Sequence, residues 1–394
     1  MSLKKKILII TNQPVTGGVP SMLRFVIDCL NDRSYSITLA YYEPYSITPK
    51  LSVPFYKLLF ARPSIKYDSF YGCRCIGVGC WFPELESSHY WLSQRWLDLI
   101  AEHDTYMMVS GSCLAALPYV QTQTSFLGWV ATDWQGDREH RIKQFSWVRK
   151  LVDSWFSAPA ARRLERKIIA ANGLVALSEY TATMLNQIVD QDLVSETLYM
   201  PIDENRFSPN ENHQRHYRVG FIARFEDPRK NITLLLNSIA LIVEQLPQVE
   251  LLLVGDKLSR QSQRLIVELG IDSNVKVIDH SDNNDLPDIL RGLDVFALPS
   301  YQEGLCIAAL EAMSCGVPVV STYCGGPENY IVDGHNGLLC HSTPASMSSA
   351  ILQLLTNKIE RKNYAIKARE VIIQRFSLAP QRQKFWNLFD NAYS

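Results

Sequence analysis

Short apolar runs alternate along the chain with longer segments whose apolar residues recur at helical spacing. The runs typical of strands lie at 5–11, 36–42, 106–110, 126–132, 173–178, 195–201, 218–224, 249–255, 275–280, 294–299 and 318–322. Helical spacing separates them, for example over 232–246 and 259–270. Because most of these strands are apolar throughout, they predict parallel sheets that are buried on both faces by helices.

The strand pattern stops after residue 201 and restarts near 218. Two such series predict an α/β protein with two doubly wound, Rossmann-like domains. The first domain would cover about residues 1–200 and the second about 206–375. The region 43–100, rich in aromatic residues and proline, fits neither pattern and receives no assignment.

The last segment, 376–394, carries Phe385, Leu388 and Phe389 at helical spacing, with Trp386 beside them. This pattern predicts a terminal helix that returns to the first domain and packs on its surface.

Composition excludes several classes of protein. Hydrophobic residues make up 47% of the 394 residues, which excludes a disordered chain, and the formal net charge of −1 argues against a nucleic-acid partner. No apolar run reaches the roughly 18 residues of a membrane span, and the apolar stretch at the start is too short for a signal peptide. We therefore expect a cytoplasmic protein whose nine cysteines are reduced.

Three of those cysteines, Cys73, Cys75 and Cys80, lie close together in the sequence, with His89 nearby. Structural zinc sites usually combine two pairs of ligands, and a second closely spaced cysteine pair is missing here. A loop with incidental thiols is the better interpretation, and no metal site is predicted.

The most informative stretch is LPSYQEGLCIAALEAMSCGVPVVST at 298–322. A strand ends at its start, and a helix is predicted from about Leu305 to Cys315. Glu303 and Glu311 flank the helix start, roughly 10–12 Å apart if both follow the helical rise. Free backbone N–H groups between them, at Gly304, Leu305 and Cys306, could receive a phosphate.

This spacing matches the length of a nucleotide diphosphate sugar from its hexose to its ribose. The alternative is that Glu303 is only a helix-terminal charge and Glu311 a solvated surface residue. Glu311 argues against that alternative because its neighbours leave the helix apolar nearly all round. One carboxylate could then bind sugar hydroxyls and the other ribose hydroxyls.

The whole stretch EGLCIAALEAMSCGVPVVST resembles the signature of the retaining glycosyltransferases of family 4, which share the two-domain GT-B fold. Other pieces occur in the order of that family, at 16–19 (TGGV), 176–181 (ALSEYT), 200–209 (MPIDENRFSP), 220–231 (GFIARFEDPRKN) and 325–340 (GGPENYIVDGHNGLLC). The resemblance covers nearly all of the chain and is strongest in its second half. It implies two domains that face each other across a cleft.

The resemblance also implies roles for individual residues. Gly17 and Gly18 would meet the donor phosphate, although two glycines after a strand could equally be turn formers. Arg224 and Lys230 would grip the diphosphate and stabilise the charge of the leaving group, a task that a metal ion often performs. Ser281, directly after the strand predicted at 275–280, joins the donor-binding set.

One position departs from the family pattern. A branch of the family carries a W-x-H-x-D segment after a central strand, and this chain has Ala131 between Trp129 and Asp133 where the histidine would stand. Either Asp133 takes the place at the sugar, as a catalytic residue beside Glu303, or the enzyme works without the imidazole.

The segment 136–170 is basic and aromatic. It contains nine Lys or Arg against four Asp or Glu, with Phe145, Trp147, Trp155 and Phe156 among them. This composition suits an anionic membrane surface or a lipid-linked acceptor, and it equally suits ordinary solvated helices with core aromatics. A peripheral position on the inner face of a membrane is one expectation that follows.

These observations favour a glycosyltransferase that needs no metal. The first domain would bind a saccharide or lipid-linked acceptor and the second a nucleotide sugar, with a UDP-sugar favoured because such donors are commonest in the family. Two alternatives stay open: an inactive nucleotide-sugar-binding protein, and a GT-B sugar-nucleotide epimerase or phosphorylase.

Overall fold

The computed structural model describes residues 5–13, 18–136, 138, 147, 150, 153–209, 217–225, 227–279 and 285–394. The chain divides into two compact units. The first unit comprises Met1–Met200 with Arg382–Ser394, and the second comprises Pro201–Gln381. Each unit is built around its own sheet, which is wholly or mostly parallel.

The strands of the first unit are β1 Lys6–Thr11, β2 Ser36–Tyr42, β3 Ile65–Phe70, β4 Cys73–Val78, β5 Thr105–Ser110, β6 Leu127–Val130 and β7 Leu174–Ala176. Those of the second unit are β8 Arg218–Ala223, β9 Glu250–Gly255, β10 Val275–Asp279, β11 Val295–Leu298, β12 Val319–Thr322 and β13 Gly337–Cys340.

The α-helices between the strands are α1 Gly18–Asp32, α2 Gln94–Ala101, α3 Leu117–Gln121, α4 Ala158–Ile169, α5 Glu179–Val189, α6 Ile232–Val243, α7 Arg260–Glu268 and α8 Leu286–Arg291. The remaining α-helices are α9 Ile307–Ser314, α10 Pro344–Thr356, α11 Lys358–Val371 and α12 Leu378–Tyr393.

The sheet of the first unit has the order β3-β4-β2-β1-β5-β6-β7. All neighbours pair in parallel except β3, which is antiparallel to β4 at the edge. The sheet of the second unit has the order β10-β9-β8-β11-β12-β13 and is parallel throughout. This second order is the 3-2-1-4-5-6 arrangement of dinucleotide-binding folds, whose switch point lies between β8 and β11.

The predicted architecture of two doubly wound α/β domains is confirmed. Two details of the prediction were wrong. The run at 195–201 forms no strand and contacts β7 through a single bridge from Ala176 to Thr197. The run at 275–280 forms β10, which is exposed because it is the edge strand. The unassigned region 43–100 contains the β3–β4 hairpin, and β13 was not foreseen.

The terminal helix α12 completes the first unit. Phe385 and Phe389 are buried, and the ring of Phe385 lies 5.9 Å from that of Phe25 on α1. Arg33 stacks over the ring of Trp386 at 3.6 Å and forms a bidentate ion pair with Asp390. Aromatic packing and a charged pair thus fix the end of the chain onto α1.

Three further expectations concern membrane spans, thiols and metal sites. Within the described residues, no helix combines the length and the apolar character that a bilayer span requires. All nine cysteines lie in the described ranges and are free thiols. Among the described residues, no group of three or more His, Cys, Asp or Glu lies close enough together to hold a metal ion.

Candidate functional site

The candidate site lies at the switch point of the second sheet. Strands β8 and β11 are parallel neighbours there, so their carboxyl ends meet at one edge. Arg224 follows β8 directly, and Glu303 lies five residues beyond the end of β11. In open α/β sheets the loops at such a point form the ligand crevice.

Lys230 and Glu303 form the centre of this site. Lys230 ends a short 3₁₀ turn that begins at Pro228, and its Nζ lies 2.7 Å from Oε1 of Glu303. The two side chains are 20% and 9% exposed. Burial on its own would lower the pKa of Lys230, but the charge and hydrogen bond of Glu303 raise the pKa above its ordinary value. Lys230 is therefore a fixed cation.

The backbone joins the two loops beside this pair. The N–H of Tyr301 donates to the carbonyl of Arg229 at 2.7 Å, one residue before Lys230. The loop after β11 is thus attached directly to the 3₁₀ turn that carries the cation. Movement of one loop would shift the other.

Polar groups behind Glu303 fix its orientation. The hydroxyl of Ser300 donates to Oε1 of Glu303 at 2.6 Å, and the buried hydroxyl of Thr322 donates to the carbonyl of Ser300 at 2.5 Å. The N–H of Glu303 donates to the carbonyl of Cys324, and its carbonyl accepts from Gly326. Both the backbone and the carboxylate of Glu303 are held in place.

Gly326 packs against the site loop without room for a side chain. A Cβ at this position would lie 2.3 Å from the carbonyl oxygen of Gly304 and 2.7 Å from the nitrogen of Leu305. Leu305 itself is buried, and its carbonyl accepts from the hydroxyl of Tyr330 at 2.8 Å. The turn after Glu303 is therefore clamped from two sides.

Arg224 differs from Lys230 in exposure. Its side chain is 54% exposed and lies 3.7 Å from Oδ2 of Asp227. Asp227 is held mainly by Arg229, which donates to it from both backbone and side chain. Burial would raise the pKa of Asp227, but Arg229 holds that pKa below its usual range. The Arg224 guanidinium can reach a ligand without breaking a buried ion pair.

The helix after Glu303 begins later than predicted. α9 starts at Ile307, so Gly304, Leu305 and Cys306 lie in a turn and not in the first helical turn. Glu303 pairs with Gly325 in an isolated bridge, so the helical rise does not set its distance from Glu311. Ile307 and Ala308 lie in the first turn of α9, where backbone N–H groups have no carbonyl partner within the helix. These N–H groups can donate hydrogen bonds to an anion.

Cys306 makes this late start possible. Its φ of +63° lies in the left-handed region, which favours glycine. The reversal turns the chain from Glu303 into α9 within a few residues. Burial raises the pKa of the Cys306 thiol to about 12, so the thiol stays protonated and is not a nucleophile.

Glu311 lies in the middle of α9, among the buried residues Leu310 and Ala312. Its own side chain is half-buried. Burial raises the pKa of Glu311 to about 8, against the opposing charge of Arg206. A half-buried carboxyl on an apolar helix is a costly choice for a purely structural residue.

The remaining predicted site residues belong to the first unit or to undescribed positions. Gly18 is the exposed first residue of α1, after the loop that follows β1. Gly17 and Ser281 lie outside the described residues. Nearby, Oδ1 of Asn12 accepts from the hydroxyl of Ser110 and the N–H of Gly111, at the switch point of the first sheet.

Asp133 has a structural explanation that the sequence did not suggest. Its side chain is buried, and Oδ2 accepts from the N–H of Gly136 at 2.6 Å, which caps a short helical segment. The next N–H, of Trp134, donates to Oε1 of the buried Glu165 at 2.8 Å. Burial raises the pKa of Glu165 to about 7, and the nearby charge of Asp133 adds to the rise. A role of Asp133 at the donor sugar stays a prediction.

Sequence reasoning missed three contributors to the site: Ser300, Thr322 and Asp227. Ser300 could have been noticed, because it stands three residues before Glu303 in a strand-end loop. The contact of Thr322 comes through the pairing of β11 with β12, which single-sequence patterns do not reveal.

The fold and this site define a class of protein. The chain aligns with sucrose-phosphate synthase from Thermosynechococcus elongatus over 99% of both chains, with a TM-score of 0.73 and 18% identity. It aligns with Anabaena Alr3699/HepE in complex with UDP and glucose over 98% of this chain and all of the other, with a TM-score of 0.70 and 17% identity. The chain has the GT-B glycosyltransferase fold, as predicted.

Sequence comparison finds a family model that is similar to the second unit. Residues 201–371 match the family model of glycosyl transferases group 1. The chain is 28% identical over 257 residues to D-inositol 3-phosphate glycosyltransferase from Corynebacterium jeikeium, which covers 58% of this chain. The match spans 61% of that relative, so the chain covers less than two thirds of its length. These matches support the predicted GT-B glycosyltransferase, and family 4 is consistent with them.

Proposed function

We propose that this chain is a retaining glycosyltransferase that moves a hexosyl group from a nucleotide diphosphate sugar to a saccharide or lipid-linked acceptor. The observation that carries the proposal is the Lys230–Glu303 pair at the switch point of the second sheet. It sets a cation and a sugar-binding carboxylate side by side, in loops that parallel strands bring to one edge.

The donor would be bound mainly by the second unit. Arg224 and Lys230 would hold the two phosphates, together with the N–H groups at the start of α9. Glu303 would accept from sugar hydroxyls, and Glu311 from ribose hydroxyls. Gly18, Gly17 and Ser281 would add contacts to the donor.

The chemistry would proceed on one face of the sugar. The bond from the anomeric carbon to the leaving phosphate oxygen breaks, and a bond to the acceptor oxygen forms on the same side. The acceptor proton passes to the leaving phosphate. Lys230 and Arg224 stabilise the negative charge that develops there, so no metal ion is required for this task.

A UDP-sugar is our first choice of donor. The structurally similar HepE binds UDP and glucose, which supports this choice by analogy. Asp133 would help to position the sugar in place of the family histidine. The first unit would bind the acceptor.

The surface of α4 supports a membrane-associated acceptor. Arg162, Arg163, Arg166 and Lys167 are exposed, and the acid among them, Glu165, is buried. Trp155 and Phe156, just before the helix, are also exposed. Phe145 lies outside the described residues. Exposed cations beside exposed aromatics suit an anionic leaflet, and we propose that the enzyme works in the cytoplasm at the inner membrane face.

The proposal is tested by incubating the chain with nucleotide sugars and a panel of saccharide and lipid-linked acceptors. Transfer with retained anomeric configuration, followed by NMR, supports it. Free epimer or sugar phosphate without an acceptor product would indicate the epimerase or phosphorylase alternative. Tight nucleotide binding without any turnover would indicate a binding protein.

A further inference from the structure

A second exposed surface lies far along the chain from α4, in the loop between β2 and β3. Residues 54–62, named here the anchor loop, carry four bulky apolar side chains that face solvent. Phe55, Tyr56, Leu59 and Phe60 are 73%, 69%, 89% and 88% exposed. Folded proteins rarely expose such a cluster without a partner for it.

The anchor loop is held at its base. The N–H of Ser64 donates to the carbonyl of Leu51 at 2.9 Å, so the two ends of the loop lie side by side. The N–H of Val53 donates to the carbonyl of Cys80, and Leu51 and Val53 are buried. Because the ends of the anchor loop are hydrogen-bonded to each other and the residues before it are buried, its tip has a defined position.

The tip itself is ordered by local contacts. Phe55–Lys57 form a 3₁₀ turn, and the N–H groups of Phe60 and Ala61 donate to the carbonyl of Lys57. The N–H of Phe55 also donates to the carboxylate of Glu84 at 3.4 Å. Several N–H groups of the tip thus have hydrogen-bond partners in the protein, while its large side chains are exposed.

The charge of the anchor loop indicates what kind of partner its apolar tip has. The anchor loop contains Lys57 and Arg62 and no acidic residue. Lys66, beyond the loop, is already paired with Glu43 and Asp68 at 3.7 Å. Apolar and aromatic side chains flanked by cations match the boundary between acyl chains and anionic headgroups. A protein interface of ordinary size takes about 800 Å² and 20–30 residues from each partner, far more than a tip of nine residues.

We propose that the anchor loop inserts its apolar tip into the surface of a phospholipid bilayer. Leu59 and Phe60 enter the interfacial region, and Lys57 and Arg62 remain at the headgroups. This attachment goes beyond the proposed transfer reaction and does not depend on the donor site. It also differs from attraction by the cations of α4, because buried apolar area resists salt whereas exposed charges are screened.

The test is flotation of the full-length chain with vesicles of phosphatidylcholine, with and without phosphatidylglycerol. We expect the wild type to float with both compositions, more strongly with the anionic one, and to keep part of its binding at about 0.5 M salt. The variant L59S/F60S should lose at least tenfold in partitioning, because each buried side chain of this size contributes about that factor. Hydrogen exchange of the wild type should slow in residues 54–62 when vesicles are added.

The matched control is V267S/I359S, which removes two similarly exposed apolar residues from the second unit. It should float like the wild type, and both variants should keep wild-type nucleotide binding and melting temperature. Equal flotation of L59S/F60S and the wild type, or no flotation of the wild type, would overturn the proposal. So would a wild-type dimer in light scattering that L59S/F60S dissociates without vesicles, since the loop would then be a protein interface. Absence of nucleotide binding in the wild type would count against the proposed transfer reaction and leave this result unaffected.

Discussion

Lys230 and Glu303 are 73 residues apart in sequence and are joined by a 2.7 Å hydrogen bond between Nζ and Oε1. The pair links the loop after β8 to the loop after β11. Under the proposed function, one cation would therefore contact both the carboxylate that binds the sugar and the diphosphate. In this account, the hydrogen-bonded Lys230–Glu303 pair recognises both the sugar hydroxyls and the leaving group. Ser300 orients the pair by donating to Oε1 of Glu303.

Glu303 and Glu311 should differ in their kinetic effects. Glu303→Gln removes the charge that the proposed function places at the reacting sugar. We expect turnover to fall at least tenfold, because that contact would change in the transition state. Glu311→Gln would weaken the proposed ribose contacts, which are made equally before and during the reaction, and we expect mainly a raised KM for the donor. Steady-state kinetics distinguish the two. The control is Glu268→Gln, which changes an exposed acid at the end of α7. Near wild-type kinetics in both site variants would remove the basis for this assignment.

The pKa of Glu311, raised to about 8, gives stability a defined pH dependence. Between the unfolded value near 4.5 and the folded value near 8, the folded state keeps a proton that the unfolded chain has lost. Its contribution to the free energy of unfolding is therefore full at low pH and falls as pH rises through this window. Glu311→Gln carries no such proton, so its stability relative to the wild type should increase from pH 5 to about pH 8.

Urea unfolding of both proteins across this range measures the difference. Glu165, whose pKa is raised to about 7, titrates in both proteins. Its effect on the free energy of unfolding therefore drops out of the difference between the wild type and the variant. Nucleotide affinity of the wild type should rise over the same range, because an ionised carboxylate accepts from two ribose hydroxyls. A stability difference that stays constant with pH would show that Glu311 titrates normally.

Cys306 offers a test of the turn before α9. Its φ of +63° is readily adopted by glycine and poorly by a β-branched residue. Cys306→Gly should keep most of the activity, since the turn stays intact and the protonated thiol has no chemical role. Cys306→Val should lower both activity and stability, by about 1–3 kcal/mol of backbone strain. Kinetics and thermal melting of the two variants check this. Loss of activity in the glycine variant alone would assign a direct role to the thiol.

The exposed cations of α4 should govern attraction to anionic lipid. Replacing all four by serine should remove most of the salt-sensitive part of vesicle binding, because each Lys or Arg near such a surface contributes about 1 kcal/mol. The four are Arg162, Arg163, Arg166 and Lys167. A control variant removes four exposed cations of the second unit, namely Lys257, Arg260, Arg264 and Lys276. Cosedimentation at low and high salt gives the answer, and equal loss in both variants would indicate a non-specific charge effect.

The sequence predicted the strands well where they form continuous runs of apolar residues. Strands such as β2 and β9 are apolar on both faces, so their run length gives their bounds within a residue. The β3–β4 hairpin was missed because β3 is an exposed edge strand without an apolar face. The edge strand β10 was found, but its exposure was not, since strand order is a long-range property.

The sequence identified the main residues of the candidate site, but it did not predict the distances and contacts between them. The motif at 298–322 pointed to Glu303, and the loop after β8 pointed to Lys230, but their direct contact required the pairing of β8 with β11. The late start of α9 depends on the left-handed backbone conformation of Cys306. That conformation favours glycine, so a cysteine gives no sign of it in the sequence. Asp133 shows the opposite case, because its burial as a helix cap is invisible in the sequence.

The most direct test of the central claim is a thermal-shift screen of UDP-, GDP- and ADP-sugars in the presence of EDTA. The account predicts that sugars of one nucleotide raise the melting temperature of the wild type, since a ligand at 100 times its dissociation constant adds about 2.7 kcal/mol. The shift should shrink in Arg224→Ala and Lys230→Ala, each of which loses at least tenfold in affinity, and persist in the control Lys276→Ala. No shift with any nucleotide sugar, or equal shifts in the wild type and Lys230→Ala, would contradict the account.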